Sequence, residues 1–220
     1  MMAPPGRATG PLAMPQIARR RWLQAAPVAA LLGLLHPAAR SGSQREEALA
    51  DSVRSALSAA IVNQAPPRPL LNNPAERLAF QRWLALAGQQ LAARLTEAPL
   101  RQEFLQTLWY ESKRARLDTA LVLGLIQTES NFRKFAVSSA GARGYMQVMP
   151  FWARLIGDGD ASKLFQVQLN LRFGCVILRH YLDLEQGDVF MALGRYNGSR
   201  GQATYPEAVL KARESWRQSG

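Results

Sequence analysis

Glu129 is the one carboxylate that the sequence places on the apolar face of a predicted helix. It lies seven positions after Val122 in a mostly apolar segment, which at about 100° per residue is about 20° short of two full turns. Apolar surroundings disfavour the ionised form of a carboxyl group and raise its pKa. Such a group keeps its proton near neutral pH and can protonate an ether-like leaving oxygen. On spacing alone, the alternative is a glutamate that reaches past the helix end into water.

A segment of small residues, 137–147, follows this helix, and its composition suits a ligand that comes close to the backbone. Gly141 and Gly144 allow tight turns, because glycine has no Cβ. Gln147 offers amide donors and an acceptor beside the apolar side chain of Met146. This pairing suits a sugar, which has hydroxyl groups at the ring edge and C–H groups on the ring face. The alternative is an ordinary loop with Met146 in the core.

A third polar cluster lies at residues 195–199, with Tyr205 a few residues beyond it. Tyr196 and Asn197 place an aromatic ring next to an amide within this cluster. Aromatic rings with hydroxyl or amide neighbours are the expected lining of a sugar cleft. The pair Asn197-Gly198 on its own indicates only a turn.

Helices must position these clusters, because no segment alternates apolar and polar residues as a strand does. Asp118 and Asp188 can cap two of the helices, and Asn73-Pro74 combines a cap with a proline in the first turn. The sequence therefore predicts an all-α fold, with two helices before Pro99 and a compact helical domain after it. The predicted helices span residues 44–64, 73–95, 119–128, 150–157, 170–185, 189–196 and 206–216, and a further one begins at Pro99.

Residues 1–41 have the layout of a secretory signal peptide. The arginines at 19–21 precede an apolar run over residues 22–35, and small residues follow, with Ala39-x-Ser41 as a cleavage box. The apolar run is shorter than the roughly 20 residues that cross a bilayer. Residues 19–24 also resemble a twin-arginine export motif. We therefore expect a periplasmic or otherwise exported protein with no stable membrane span in the mature form; the alternative is a disordered basic tail.

The overall composition excludes several classes of protein. With 48% hydrophobic residues the chain can bury a core and is not disordered throughout. Its single cysteine, Cys175, excludes an intramolecular disulfide framework, and its 2 histidines leave little for a metal site, so we expect neither metal nor cofactor. The net charge of +11 suits an anionic partner. Nucleic acid is not favoured as that partner, because no helix carries a basic stripe interleaved with aromatic residues.

Four segments carry more extended motifs: Glu129–Phe132, Ala136–Pro150, Asn170–Gly174 and Ala192–Gly198. In this order they resemble the motifs of the soluble lytic transglycosylase (SLT) domain. The resemblance covers residues 100–217 and implies a helical fold similar to that of goose-type lysozyme. It leaves residues 42–99 as a helical N-terminal region without an assigned role, with a proline-rich linker at 65–69.

The resemblance implies cleavage of the β-1,4 bond between N-acetylmuramic acid and N-acetylglucosamine in peptidoglycan. Glu129 matches the catalytic acid/base of the family, and Tyr205 is a weaker match to a position of the saccharide cleft. The stronger matches to cleft positions are Ser138, Met146, Gln147, Tyr196 and Asn197. The sequence departs from many members of the family at residues 151–153, where we expect one end of the cleft to differ, and at 198–199, where small residues are kept.

A single carboxylate suffices for this reaction if the substrate supplies the nucleophile. Glycosidases ordinarily use two carboxylates. Asp118, the nearest acid upstream of Glu129, stands at the other end of the same predicted helix, about 16 Å away by helical rise. The 6-hydroxyl of N-acetylmuramic acid can attack instead and give a 1,6-anhydro product. The open alternatives are a hydrolytic muramidase of the same fold and a catalytically inert wall-binding assembly protein. General wall turnover and the opening of a gap for a secretion or motility apparatus both fit such an enzyme.

Overall fold

The computed structural model describes residues 71, 73–156 and 159–217. Within these residues the regular structure is helical, and β pairing is limited to two isolated bridges in the loop 137–148, so the predicted all-α fold is confirmed. The helices are α1 (Pro74–Leu91), α2 (Ala98–Arg114), α3 (Thr119–Ser130), α4 (Pro150–Ile156), a 3-10 helix (Ala161–Phe165), α5 (Val167–Leu184), α6 (Val189–Asn197) and α7 (Thr204–Arg217). The predicted signal peptide, the helix at 44–64 and the proline-rich linker at 65–69 lie outside the described residues.

Side-chain caps begin three of these helices where the sequence predicted them. The side chain of Asn73 accepts a hydrogen bond from the backbone N–H of Glu76 at 2.7 Å, at the start of α1. Asp118 caps α3 and Asp188 caps α6 in the same way, at 2.9 Å and 3.0 Å. Each cap satisfies one of the N–H groups that a helix start leaves without an internal partner.

Two predicted helix starts are wrong by two or three residues. Helix α5 begins at Val167 rather than at 170. Its N-cap Gln166 makes no side-chain capping bond, so no capping residue marks this start in the sequence. Helix α7 begins at Thr204, with Pro206 inside its first turn, where a missing N–H is tolerated. The 3-10 helix was not predicted, although Asp160 caps it by accepting from the backbone N–H of Ser162 at 2.9 Å.

Helix α3 lies at the centre of the core and is buried on every side over Ala120–Ile126. A Cβ at Gly124 would come within 2.6 Å of the backbone N of Arg213 and 2.8 Å of the backbone O of Val209, so glycine lets α7 lie directly against α3. The premise of a single apolar face is therefore wrong for this helix, since a helix that is apolar all round is a buried one. It has only 12 residues, and no helix in the described part of the chain is both long and apolar enough to cross a membrane.

Helix α1 packs onto α2 through aromatic side chains. Trp83 and Phe80 lie against Trp109, with ring centroids 5.0 Å and 5.3 Å apart. Phe80 and Trp83 belong to the same cluster of buried hydrophobic residues as the apolar residues of α3. The described part of the region 42–99 thus contributes to the core around α3, and the division of the chain at residue 99 stays a prediction.

Candidate active site

Glu129 lies in the last turn of α3, at the edge of the core. Its side chain is partly buried, and its Oε1 accepts a hydrogen bond from the hydroxyl of Tyr205 at 2.6 Å. Burial raises the pKa of Glu129 from 4.5 to about 7, and the hydrogen bond from Tyr205 lowers it in part. The raised pKa predicted from the sequence is therefore confirmed, and this group exchanges a proton readily near neutral pH.

Tyr205, the weakest of the sequence matches, is the described residue that contacts the Glu129 carboxyl directly. It lies in the first turn of α7, 76 residues after Glu129. Burial and the nearby carboxyl of Glu129 raise the pKa of the Tyr205 phenol well above 10, so the phenol stays protonated and remains a donor. The hydrogen bond fixes the carboxyl of Glu129 against α7.

The backbone turns sharply just after Glu129. Ser130 donates its hydroxyl hydrogen bond to the carbonyls of Ile126 at 3.2 Å and Tyr145 at 2.7 Å, which anchors the helix end to the following loop. Asn131 and Phe132 have left-handed backbone angles, with φ of 47° and 63°. Such angles cost about 1–3 kcal/mol for a residue other than glycine and persist only where packing enforces them.

Packing around Phe132 enforces this turn. The ring is buried and lies 6.0 Å from the Phe104 ring and 5.4 Å from the Trp216 ring. Arg94, in the turn after α1, donates from Nε to the side-chain oxygen of Asn131 at 3.2 Å, and its guanidinium lies 5.8 Å from the Phe132 ring centroid. Sequence reasoning missed this role of Arg94, because the residue belongs to a region without a motif.

Asn170, from the third sequence motif, holds the loop that follows. Its amide donates to the carbonyls of Arg143 at 2.9 Å and Leu164 at 2.7 Å, and its side-chain oxygen accepts from the backbone N–H of Met146 at 2.8 Å. Gly144 has a φ of 75°, and a Cβ there would overlap the Asn170 amide. The glycine is thus required both for the backbone conformation and for the close approach of the amide.

Ser138 and Gln147 shape the same loop from within. The hydroxyl oxygen of Ser138 accepts from the backbone N–H of Ala142 at 3.0 Å. Gln147 is buried with a φ of 48°, and its amide nitrogen donates to the carbonyls of Ala136 at 3.2 Å and Gly144 at 2.9 Å. Both side chains hold the loop in one conformation, and contact of either with a saccharide stays a prediction.

Met146 and Tyr196 lie together behind the loop. Met146 is fully buried, and a Cβ at Gly174 of α5 would overlap its side chain. The hydroxyl of Tyr196 donates to the carbonyl of Met146 at 2.8 Å. Both residues therefore support the loop from the core side, as the alternative interpretation of Met146 anticipated, and their contact with substrate stays a prediction.

Asn197 ends α6 with one polar atom unused. Its amide nitrogen donates to the Ser199 hydroxyl at 2.8 Å. Its side-chain oxygen is buried and has no hydrogen-bond partner among the described residues. Buried acceptors are almost always satisfied, so this oxygen is an exception to the usual pattern. Contact of Asn197 with a saccharide stays a prediction.

Asp118 and three further acids of the described residues are engaged elsewhere. Asp118 pairs with Arg213 at 2.6 Å, and Glu103 accepts from Gln168 at 2.6 Å. Asp160 caps the 3-10 helix, and Glu111 pairs with Arg172 at 2.8 Å in the core. Burial and the bond from Tyr205 account for the pKa shift of Glu129, with no contribution from a second carboxylate in the described residues. Within the same ranges, no three or more His, Cys, Asp or Glu side chains come together as a metal site would require.

The candidate site residues lie in a segment of the chain that matches a known protein family. The family model described as the transglycosylase SLT domain matches residues 107–218, which is half of the chain and includes every candidate site residue. The chain belongs to this family. The match leaves α1 and the first half of α2 outside it, so Arg94 lies beyond the part that the SLT family shares.

Several SLT-related proteins align with this chain over part of their length. A transglycosylase of Enterobacteria phage PRD1 is 36% identical over 116 residues, which is 50% of this chain and 42% of that protein. The membrane-bound lytic murein transglycosylase C of Histophilus somni is 39% identical over 85 residues, or 35% and 23% of the two chains. This chain thus spans less than half of the length of either relative. Among solved structures, an inactive mutant of the lytic transglycosylase Slt from Pseudomonas aeruginosa superposes with a TM-score of 0.42 and 19% identity, over 80% of this chain and 36% of that one.

The two departures from the SLT motifs differ in burial: residues 151–153 are buried, whereas 198–199 are partly exposed. Phe151 and Trp152 are buried in α4, with ring centroids 5.0 Å apart, so they change the packing beneath the loop. Ser199 supplies the hydroxyl that accepts from Asn197. Gly198 ends α6 with a φ of 79°, which is a conformation that glycine adopts without strain.

Proposed function

We propose that this protein is an exported lytic transglycosylase that cleaves the β-1,4 bond between N-acetylmuramic acid and N-acetylglucosamine in peptidoglycan. The observation that carries the proposal is the single carboxyl of Glu129, with a pKa of about 7, in hydrogen bond with Tyr205 at the end of a buried helix. Membership of the SLT family and the similarity to lytic murein transglycosylases support the same substrate.

The first step that we propose is protonation of the leaving group. Protonated Glu129 donates its proton to the glycosidic oxygen while the bond from that oxygen to C1 of the muramic acid breaks. The electron pair of the bond leaves with the oxygen, which becomes the free 4-hydroxyl of the glucosamine. The bond from Tyr205 stabilises the carboxylate that forms, because it is a hydrogen bond to the charged state.

The second step returns the proton. The Glu129 carboxylate accepts the proton of the muramic acid 6-hydroxyl, and the oxygen of that hydroxyl forms a bond to C1. The product carries a 1,6-anhydro ring, and no water is consumed. Attack from within the same sugar has an effective concentration that reaches about 10⁵ M or more. Hydrolysis ordinarily uses two carboxylates. Asp118, Glu103 and Glu111 are held in ion pairs or hydrogen bonds with other residues, which supports this route over hydrolysis.

The location that we propose is the periplasm or the cell exterior, where peptidoglycan is found. The n-region, apolar run and small residues of 1–41 support export through a cleavable signal peptide. Residues 1–41 contain five arginines and no acid, so their removal lowers the net charge from +11 to +6, which suits a wall that carries carboxylates. An N-terminus between 38 and 43 on protein isolated from the native host is the expected result of N-terminal sequencing, and an intact residue 1 on a cytoplasmic protein would contradict it.

Digestion of purified peptidoglycan sacculi in water labelled with oxygen-18 tests the reaction. We expect muropeptides with 1,6-anhydro ends, lighter by one water than hydrolysed ends and free of label. Reducing muramic acid ends that carry oxygen-18 would identify a hydrolytic muramidase instead. No cleavage at all by the folded protein would favour an inert wall-binding protein. Cleavage should persist in EDTA, because the proposed steps involve no metal.

Glu129→Gln tests the assignment of the acid. Glutamine keeps the size of the side chain and removes the titrating group, so cleavage should fall by roughly 10²–10⁴-fold or more. Glu97→Gln, at an exposed residue that precedes α2 and makes no side-chain capping bond, is the matched control and should cleave normally. Near-normal cleavage by Glu129→Gln with an unchanged circular dichroism spectrum would refute the role of Glu129.

A further inference from the structure

An exposed apolar surface lies on the loop after Glu129, and the proposed chemistry leaves it unused. Phe135 is 71% exposed and Val137 is 61% exposed, the highest values among the large hydrophobic residues of the described part. Phe165, from the 3-10 helix, lies against Phe135 with ring centroids 5.8 Å apart. We name Phe135, Val137 and Phe165 the rim surface. Apolar residues that cluster on a surface, rather than scatter over it, mark binding sites.

Two cations flank the rim surface. The Lys134 ammonium lies 5.5 Å from the ring centroid of Phe135, and the Arg143 guanidinium lies 5.6 Å from that of Phe165. A cation is attracted to the face of an aromatic ring, which holds these charges beside the rings. The loop 131–149 contains no aspartate or glutamate. The surface therefore combines aromatic faces with positive charge that no acid of its own loop neutralises.

The backbone of the rim surface is held in place before any ligand arrives. Val137 and Arg143 face each other across an antiparallel bridge. The carbonyl of Ala136 accepts from the backbone N–H of Gly144 at 2.9 Å and from the amide of Gln147 at 3.2 Å. A surface that is already ordered loses less conformational entropy on binding than a mobile loop does.

The rim surface also adjoins the candidate active site along the chain. Arg133, just before Lys134, donates from Nε to the carbonyl of Ser130 at 3.0 Å, so the start of the loop is tied to the end of α3. Ser138 and Gln147, both matched to the saccharide cleft, lie in the same loop. Phe135 and Val137 of the rim surface therefore share one loop with residues that are matched to the saccharide cleft.

We propose that the rim surface, with Lys134 and Arg143, binds the peptide-bearing part of the glycan strand. The rings of Phe135 and Phe165 stack on the C–H face of a sugar, and the two cations pair with carboxylates of the stem peptide. Charge complementarity selects this occupant, since the substrate of the proposed function carries apolar sugar faces and carboxylates on one polymer. The proposal rests on that function and adds a preference for peptide-substituted strands over bare glycan.

Binding measurements test the rim surface without any need for cleavage. The full chain carrying Glu129→Gln is sedimented with intact sacculi and, separately, with glycan strands from which an amidase has removed the stem peptides. Adding Phe135→Ala should weaken binding to both polymers by about tenfold, the size expected when one aromatic contact is lost. Adding Lys134→Gln with Arg143→Gln should weaken binding to intact sacculi by a similar factor and leave binding to peptide-free strands unchanged.

Matched variants separate a binding role from a general effect. Phe135→Tyr keeps the ring and should bind like the parent. Leu86→Ala removes another exposed apolar side chain, and Arg82→Gln removes another exposed positive charge, both on α1, so neither should change binding. Unchanged binding after Phe135→Ala would overturn the proposal, and so would an equal loss on both polymers after the double charge change. A wild-type chain that cleaves no peptidoglycan would refute the proposed function instead, because these binding measurements do not depend on cleavage.

Discussion

Replacing Glu129 with glutamine should make the folded protein more stable at neutral pH while it abolishes cleavage. Burial raises the pKa of Glu129 from 4.5 to about 7, so the charged form is disfavoured in the folded protein but not in the unfolded chain. One pKa unit corresponds to about 1.36 kcal/mol, so a shift of this size corresponds to about 3 kcal/mol of unfolding free energy. Because the side chain is only partly buried, this is an upper value.

The direction of the effect depends on pH. Below pH 4.5 both states hold the proton, and Glu129 imposes no penalty. Between pH 4.5 and about 7 the unfolded chain releases the proton while the folded protein keeps it, so this contribution to stability is lost as the pH rises. Glutamine does not titrate, and its oxygen can still accept the hydrogen bond from Tyr205. The unfolding free energy of the variant therefore does not fall in this way as the pH rises.

Urea denaturation of the two proteins at pH 4, 6 and 8, followed by tryptophan fluorescence, measures the difference. The variant should match the wild type at pH 4 and exceed it by about 2–3 kcal/mol at pH 8. The difference between the proteins is the informative quantity, because all other titrating groups contribute to both. A difference that is the same at pH 4 and pH 8, or a wild type that is the more stable at pH 8, would refute the burial of an uncompensated carboxyl.

Three further changes have definite expected results. Tyr205→Phe removes a hydrogen bond to the charged form of Glu129, worth about 1.5–3 kcal/mol, so the pKa of Glu129 should rise by roughly one to two. The fall of the cleavage rate at alkaline pH should therefore move to higher pH. An unchanged pH profile would contradict the contact. Arg172→Met leaves Glu111 buried without its closest partner and should lower the unfolding free energy by about 3–5 kcal/mol in urea, whereas adding Glu111→Leu should restore most of it. Cys175 is buried and burial raises the pKa of its thiol, so it should react with a thiol reagent only in denaturant; rapid reaction of the native protein would be the contrary result.

The environment of Glu129 could be predicted from the sequence, although the reason given for it was incomplete. Helical spacing placed Glu129 beside apolar residues, and the pKa is indeed raised. The burial comes from α7 as well as from α3 itself, because Gly124 lets α7 pack closely and Tyr205 reaches the carboxyl. Periodicity describes one helix at a time, so it does not show which distant helix covers a given face.

The contacts that hold the turn after Glu129 could not be predicted from local sequence patterns. Asn131 is a residue type that often adopts left-handed angles, but Phe132 is not, and only packing against Phe104 and Trp216 explains its conformation. Arg94 contacts Asn131 across 37 positions of sequence, from a segment with no motif. The residues matched to a saccharide cleft are identified by resemblance, whereas their hydrogen bonds to the loop backbone depend on contacts that no local pattern encodes.

The position of Tyr205 in α7 also sets an order of events when the chain is made. Synthesis runs from the N-terminus, so Glu129 is joined 76 residues before Tyr205. Trp216, which packs on the turn after Glu129 and donates to Gln127 at 2.8 Å, is added later still. Until α7 folds against α3, the carboxyl of Glu129 remains in water with the acidity of an ordinary glutamate. A nascent chain, or one shortened before α7, therefore contains the acid without the surroundings that keep it protonated at neutral pH.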